Sequence, residues 1–247
     1  MHVIFSQLGN NCSLNQVVRF LSKDDNLIKI NSLPKLTIYT CALNADKWLE
    51  RAIDSVLTQR HIDFEYILID DFSSDKTPMI MAKYASQYPN IKFIRNDKNL
   101  GLSSSCNIAL KEAKGDYILR LDADDYLIGD DILFKMHKYA EMHKNEITYP
   151  DHYQVNSNAS SIKISGDIDH HAGGALFSRS ALNYVKFTDG LRGHDSLDIF
   201  IRAKSILKIG YFKEPVFCYV QRKDSLSKIN PEMREEIKQS ILNRDAL

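Results

Sequence analysis

A chain of 247 residues that is 44% apolar can bury the core of one large α/β domain. Lysine plus arginine and aspartate plus glutamate number 32 each, so the formal net charge is zero, which argues against a nucleic-acid binder. Residues 1–34 hold a strand-like stretch, Met1–Ser6, and a helical one, Asn15–Leu21, without a motif, and are read as an extension. After Pro34 a regular alternation begins. Leu36–Thr40 is apolar and β-branched, a strand; Asp46–Thr58 carries Trp48, Leu49, Ala52, Ile53, Val56 and Leu57 at helical spacing. Tyr66–Ile69 is a continuous apolar run, as in a strand buried on both faces. A helix capped by Ser74 or Asp75 runs to about Tyr88, and Ile91–Ile94 is a third strand. Ser103–Ala113 is a helix closed by Gly115, and Tyr117–Leu121 is a fourth strand. This rhythm predicts a parallel sheet with right-handed crossovers.

The rhythm loosens after residue 145. Ile147–Tyr149, Tyr153–Val155, Ile162–Ile164 and Ala175–Phe177 are short β-like pieces, His194–Leu207 is helical, Pro215–Val220 is a last strand, and Pro231–Leu242 is a polar helix. The four cysteines, Cys12, Cys41, Cys106 and Cys218, show no CxxC spacing and read as reduced structural thiols. No run of about 18 apolar residues is present, and the start lacks a basic segment followed by an apolar one, so the expectation is a cytoplasmic protein.

In an open α/β sheet, ligands gather beyond the carboxyl ends of the strands. Three such ends carry polar or acidic residues here: Thr40–Ala42, Asp70–Asp71 and Asp122–Asp125. Three carboxylates within four residues repel one another unless a cation or solvent relieves them, and hard oxygen ligands suit magnesium or manganese. A plain acidic turn before the helix that starts near Asp131 would also explain them. Asp70 and Asp71 fit hydrogen bonding to a nucleoside or turn formation with Ser73 and Ser74 equally well.

The segments LTIYTCALNADKWLERAIDSVLTQRHIDFEYILIDDFSSDKT and NLGLSSSCNIALKEAKGDYILRLDADDYL together resemble the nucleotide-binding half of family 2 glycosyltransferases. The resemblance covers about residues 35–227 and is strongest up to 127. It implies a GT-A fold: α/β, with a Rossmann-like, mostly parallel mixed sheet flanked by helices. The domain would divide into a nucleotide-binding half (35–127) and an acceptor half (128–227), with a polar helix at 228–247. It implies that Thr40 and Ala42 line the nucleotide pocket and that Asp71 recognises the base, usually uracil. Asp124 and Asp125, with Asp122, would hold the metal (Mn2+ or Mg2+) and the ribose and diphosphate of a nucleotide-sugar donor.

The resemblance also places a catalytic base at an acidic residue opening a helix, which LRGHDSLDIFIRA matches at Asp195, with Asp198 as the fallback. DIDHHAGGALFSRSAL would put His170 and His171 beside the acceptor, and YVQRKDSLS matches a segment that covers the donor. An inverting transfer needs one carboxylate to take the acceptor's hydroxyl proton. The acceptor would be a glycan or a lipid-linked molecule in a bacterial surface polysaccharide pathway. Lys228, Arg234, Lys238 and Arg244 of the late helix fit contact with the inner membrane face, and their interleaving with Glu235, Glu236 and Asp245 fits a solvated helix at least as well.

Two departures from the family pattern stand out. Cys106 precedes Asn107 where an arginine is often found, leaving the donor's basic contact missing or supplied by Arg95, Lys98 or Arg120. No Q-x-x-R-W signature of processive synthases occurs, since the only tryptophan is Trp48, which favours one sugar per visit. The competing readings are an inactive nucleotide-sugar binding module and a sugar nucleotidyltransferase. The latter would carry a glycine-rich loop where this chain has TCALNADKWL.

Overall fold

In a computed structural model, residues 34–155, 160–167, 170–189, 194–222, 235–236, 238–241 and 243 are described. The sequence readings for residues 1–33, Cys12 among them, fall outside these. So does most of the expected C-terminal helix, whose described residues are helical.

The first half alternates as its apolar pattern requires. Strands β1 (Leu36–Ala42), β2 (Phe64–Asp70), β3 (Ile91–Arg95) and β4 (Tyr117–Arg120) are separated by helices α1 (Leu49–Leu57), α2 (Thr77–Gln87) and α3 (Leu102–Glu112). Every residue of β1 is buried, which explains a run with no polar alternation. The second half comprises β5 (Tyr126–Leu127), α4 (Ile132–His143), β6 (Ile147–Val155), β7 (Ser161–Ile164), β8 (Leu176–Ser178), a 3-10 turn at Ser180–Asn183, α5 (Asp195–Ala203) and β9 (Ile209–Val220). The strand order is β3-β2-β1-β4-β8-β6-β9-β5, with β7 also on β6. Strands β1 to β4 pair in parallel. Strand β8 then joins β4 and β6 antiparallel, and β6 runs parallel to β9, so the sheet is mixed.

Strand alternation sorts the core into two layers. Leu36, Ile38, Tyr66 and Leu68 pack with Leu49 and Ile53 of α1, Met81 of α2, and Leu133 and Met136 of α4. Tyr39, Cys41, Ile67 and Ile69 face the other way, onto Cys106 and Ala109 of α3 and Ile199 and Ala203 of α5. Cys41, Cys106 and Cys218 are buried free thiols.

Several boundaries differ from the sequence reading. The two pieces expected around Pro150 are one strand, because register shifts against β9 at Pro150 and Asp151 accommodate the ring. Strand β9 begins at Ile209 rather than Pro215, its polar start carried along by pairing with β6. Helix α5 stops at Ala203, where Lys204–Ile206 turn. Helix α2 starts at Thr77 with Lys76 at its N-cap and no side-chain cap; Asp75, one residue earlier, accepts the Thr77 N–H on Oδ1 at 2.9 Å in a local turn.

Gly115 does not close α3, which ends at Glu112. Its role is close approach, since a Cβ there would lie 2.4 Å from the Thr37 nitrogen and 2.6 Å from the Leu36 carbonyl carbon. Backbone of a central strand cannot step aside, so Gly115→Ala should destabilise the protein by about 1–3 kcal/mol, as overpacking does. Each kcal/mol corresponds to a Tm loss of about 2–4 °C in a chain of this size. An unchanged urea midpoint would show that the two segments can separate.

Candidate active site

The carboxyl ends of β2, β1 and β4 lie side by side, as the parallel pairing dictates. Asp71 N–H donates to Ala42 O at 2.8 Å, and Leu121 N–H to Tyr39 O at 2.9 Å. Thr40, expected to line the nucleotide pocket, is fully buried. Its hydroxyl donates to Leu121 O at 2.7 Å and, having one proton, accepts from Tyr66 Oη at 2.8 Å. The Thr40 side chain therefore ties three strand ends together.

Asp71 is also buried. Its Oδ1 accepts the Asn96 amide and the Leu100 N–H, each at 2.8 Å, and its Oδ2 accepts the Gly101 N–H at 2.8 Å. It thereby orders the loop into α3. The adjoining turns are locked to each other, because Asn44 N–H donates to Ser73 Oγ at 2.9 Å and Ser74 N–H to Asn44 Oδ1 at 2.9 Å. Asn44 and Phe72 both hold left-handed backbone, at φ 53° and 69°; for a phenylalanine this is strained.

The acidic loop after β4 differentiates its three carboxylates. Asp125 is fully buried; its Oδ1 accepts the Val220 N–H of β9 at 2.9 Å, and its Oδ2 has no hydrogen-bond partner among the described residues. Burial, and then the charges of Asp122 and Asp124, push its carboxyl well above the usual carboxylate value. Asp124 pairs with Arg222 Nε at 2.7 Å. Burial and Asp122 push its carboxyl up, against the pull of Arg222. The Arg222 guanidinium lies 4.0 Å over the Trp48 ring, and Arg51 Nη2 donates to Asp124 O at 2.7 Å.

Asp122 faces Arg120, the last residue of β4. Arg120 Nε lies 2.9 Å from Asp122 Oδ1 and Nη2 donates to Asp122 Oδ2 at 3.2 Å, while Nη1 donates to Asp195 Oδ2 at 2.5 Å. Asp195 opens α5 after His194, which takes left-handed backbone. Burial alone would raise the Asp195 carboxyl, but the Arg120 guanidinium outweighs it and holds it below the ordinary carboxylate value. Asp198, one turn on, is committed elsewhere: Oδ2 accepts Thr188 Oγ1 at 2.6 Å and the Arg202 fork at 2.8 and 3.1 Å.

The two histidines separate. The His170 ring stacks on Phe200 with centroids 3.6 Å apart and its Nε2 meets Tyr211 Oη at 3.2 Å, within an aromatic cluster. His171 stands with the carboxylates: a Cβ on Gly173 would touch both the His171 ring and Asp122 Oδ2, and His171 adds to the pull on Asp195.

Sequence reading anticipated the carboxylates but not what neutralises them. Arg222 belongs to the YVQRKDSLS segment expected to cover the donor, whose residues after Arg222 lie outside the described ones. Arg120 carried a readable signal, an arginine inside an apolar strand that could only be buried with partners. Of the two other candidates for a donor contact, Arg95 pairs with Asp70 at 3.1 Å and donates to Ser73 O, and Lys98 is exposed in the loop before α3.

The residues fit a hard divalent cation in one particular way. Among the described residues no three metal-type ligands converge on a point, so a closed protein cage is not built. The partnerless buried Oδ2 of Asp125 beside Asp124 fits an ion held by one or two carboxylates, with diphosphate and water completing its shell.

A Rossmann-like parallel half with carboxylates at its strand ends, extended by a mixed half that supplies an acidic helix start, is the GT-A architecture. In fold the chain is similar to Staphylococcus aureus TarS 1–349 in complex with UDP-GlcNAc (TM-score 0.70, 20% identity, 84% of this chain and 65% of that one). It is also similar to the mannosyltransferase PcManGT of Pyrobaculum calidifontis in complex with GDP-Man and Mn2+ (TM-score 0.65, 16% identity, 79% and 59%). The sequence-family model of Glycosyl transferase family 2 matches residues 37–204, and the chain belongs to that family.

Among relatives by sequence, EpsE of Bacillus subtilis (strain 168) is 39% identical over 127 residues, 51% of this chain and 43% of that protein. The minor teichoic acid biosynthesis protein GgaB of the same organism is 30% identical over 206 residues, 74% and 23%. The Escherichia coli chondroitin synthase is 36% identical over 101 residues, 41% and 15%. The chain thus spans less than half the length of these relatives.

Proposed function

We propose that this chain transfers a single sugar from a nucleotide-sugar, a UDP-sugar, to a glycan or lipid-linked acceptor, with inversion at the anomeric carbon. The observation that carries this reading is the meeting of two acidic segments, Asp122–Asp125 from the donor half and Asp195 from the acceptor half, on the single guanidinium of Arg120. Single displacement requires a base on one side of the sugar and a diphosphate-binding group on the other, and the two segments supply one each.

Asp195 is the general base and Asp198, held by Arg202 and Thr188, is structural. Thr40 and Ala42 shape the nucleotide pocket from the end of β1. Asp71 orders the loop at the base and lies within reach of recognising it. Asp122 and Asp124 hold the donor, and Asp124 and Asp125 a magnesium or manganese ion, which when bound offsets charge on the diphosphate. His171 belongs with the acceptor beside Asp195, and His170 stands behind it. In this reading residues 35–227 form the transferase domain; most of the extension at 1–34 and of the late segment at 228–247 lies outside the described residues.

GgaB and the chondroitin synthase carry polysaccharide synthesis in their names, which supports a place in assembling a bacterial surface glycan. Among the described residues no helix is long and apolar enough to cross a membrane. Action at the cytoplasmic face on a lipid-linked acceptor is therefore proposed as a peripheral contact; fractionation in low salt that leaves the protein wholly off membranes would count against it.

Calorimetry tests the donor reading. UDP should bind at least about tenfold more tightly with Mn2+ than with excess chelator, the scale of one added ionic contact to the diphosphate. Equal affinity would remove the metal, and tighter binding of GDP would replace uracil as the base.

A further inference from the structure

Arg120 ends a strand whose other residues are apolar, and 3% of its side chain is exposed. Its main chain is fixed on two sides. It pairs with Tyr39 of β1, and its carbonyl accepts the Gly174 N–H at 2.7 Å. The Phe187 ring lies 5.5 Å from the guanidinium. Nη2 donates to Asp122 Oδ2 and Nε lies 2.9 Å from Asp122 Oδ1 as an ion-pair contact without a hydrogen bond, while Nη1 donates to Asp195. Among the described residues Arg120 is the one side chain hydrogen-bonded to Asp195, and it takes Oδ2.

We propose that Arg120 is the positioning residue for the base: anchored on Asp122 by its ion pair, it holds Oδ2 of Asp195 and presents Oδ1 to the acceptor hydroxyl. The inference rests on the reading of Asp195 as general base. In the step served, the acceptor oxygen bonds the anomeric carbon as the bond from that carbon to the diphosphate breaks. The acceptor's proton passes to Oδ1, and the bonding pair leaves with the nucleotide.

Geometry gives Arg120 this task rather than a general charge-balancing one. A guanidinium is planar and its donors keep fixed angles, so holding Nη2 on Asp122, with Nε against the same carboxylate, sets the direction of Nη1. An ammonium would neutralise the same charge without fixing a direction. The guanidinium also stands on a central strand, where a side chain is held more tightly than on a loop. Asp195 itself follows a left-handed residue, and Ser196 Oγ, accepting Ala172 N–H at 2.9 Å, secures the helix start from the other side.

The test is a kinetic cycle on the full chain, reading UDP release from UDP-N-acetylglucosamine in Mn2+ with and without a saccharide acceptor, alongside UDP calorimetry and thermal melts. Arg120→Lys should lower kcat by about a hundredfold, the scale of a misplacement near 1 Å, while UDP affinity and donor KM change far less. In the Asp195→Asn background the same substitution should cost almost nothing further, because a residue acting through the base has no effect once the base is gone. If Arg120→Lys does not fold, Arg120→Gln with Asp195→Asn leaves one carboxylate in place of the buried triad, and comparison with Asp195→Asn alone still decides. Independent, multiplying losses would overturn the inference and move Arg120 to the donor side. Full activity of Arg120→Lys would overturn it alone, leaving the base intact. Full activity of Asp195→Asn, or no UDP release by the unaltered chain from any UDP-sugar, would remove the underlying reading and the inference together.

Discussion

Asp195→Asn should lower turnover by about a hundredfold or more while leaving fold and UDP affinity in place. The magnitude is that of losing a general base, since an amide cannot take the acceptor's proton. Preservation of the fold follows from the charges around Arg120. Two carboxylates, Asp122 and Asp195, share one buried guanidinium. Removing the Asp195 charge leaves Arg120 still in its ion pair with Asp122, so no buried cation is orphaned. The opposite change, loss of Arg120, would leave two carboxylates uncompensated.

The pH profile carries the same assignment. Arg120 holds the Asp195 carboxyl below the ordinary carboxylate value in spite of burial, so the base stays ionised as the pH falls through the usual range. The acid limb of kcat/KM attributable to this group should therefore lie below about pH 4, the ordinary aspartate value. The linked stability has the matching sign: a depressed pKa stabilises the fold above the unfolded value, and this contribution is lost as the pH drops through the folded one. An acid limb at pH 6 that disappears in Asp195→Asn would contradict the pairing with Arg120. Unchanged turnover in Asp195→Asn would remove Asp195 from the chemistry altogether.

How much of this could be read beforehand divides along the chain. The first half was legible because β1, β2 and β4 are mostly buried apolar runs and each helix shows a 3.6-residue stripe, so β1 to β4 and α1 to α3 emerge with small boundary errors. The second half resists such reading. Its strands β5 to β9 owe their extent to pairing across long sequence distances, as when Ile147–Val155 carries Ile209–Val220 along despite Pro150 and Pro215. The acidic residues of the site were legible as a strand-end cluster. Their individual roles were not, because these depend on Val220 meeting Asp125 across 95 residues and Arg222 meeting Asp124 across 98. Similarly, His170 and His171 are neighbours in sequence, yet one packs on Phe200 and the other stands near Asp122 and Asp195.

Asp124→Asn should behave differently from Asp195→Asn, and the contrast separates the two halves of the site. Asp124 keeps part of its surface open, whereas Asp125 is sealed against β9, so Asp124 is the carboxylate a solvated cation reaches first. Its present partner, Arg222, keeps the stacking contact with Trp48 when the carboxylate becomes an amide, and the pair is partly exposed; the variant should fold with little loss. What it should lose is the Mn2+-supported part of UDP affinity, by about tenfold to a hundredfold, one to two units on a logarithmic affinity scale. UDP affinity in excess chelator should fall much less, since the metal-supported contact is already absent there. Asp195→Asn should show the reverse pattern, full metal-supported affinity with slow turnover. An Asp124→Asn protein that kept its Mn2+ enhancement of UDP binding would move the cation's anchor to Asp122 or Asp125. If both affinities fell equally, Asp124 would instead shape the nucleotide pocket as a whole, through its carbonyl contact with Arg51 and its ion pair with Arg222.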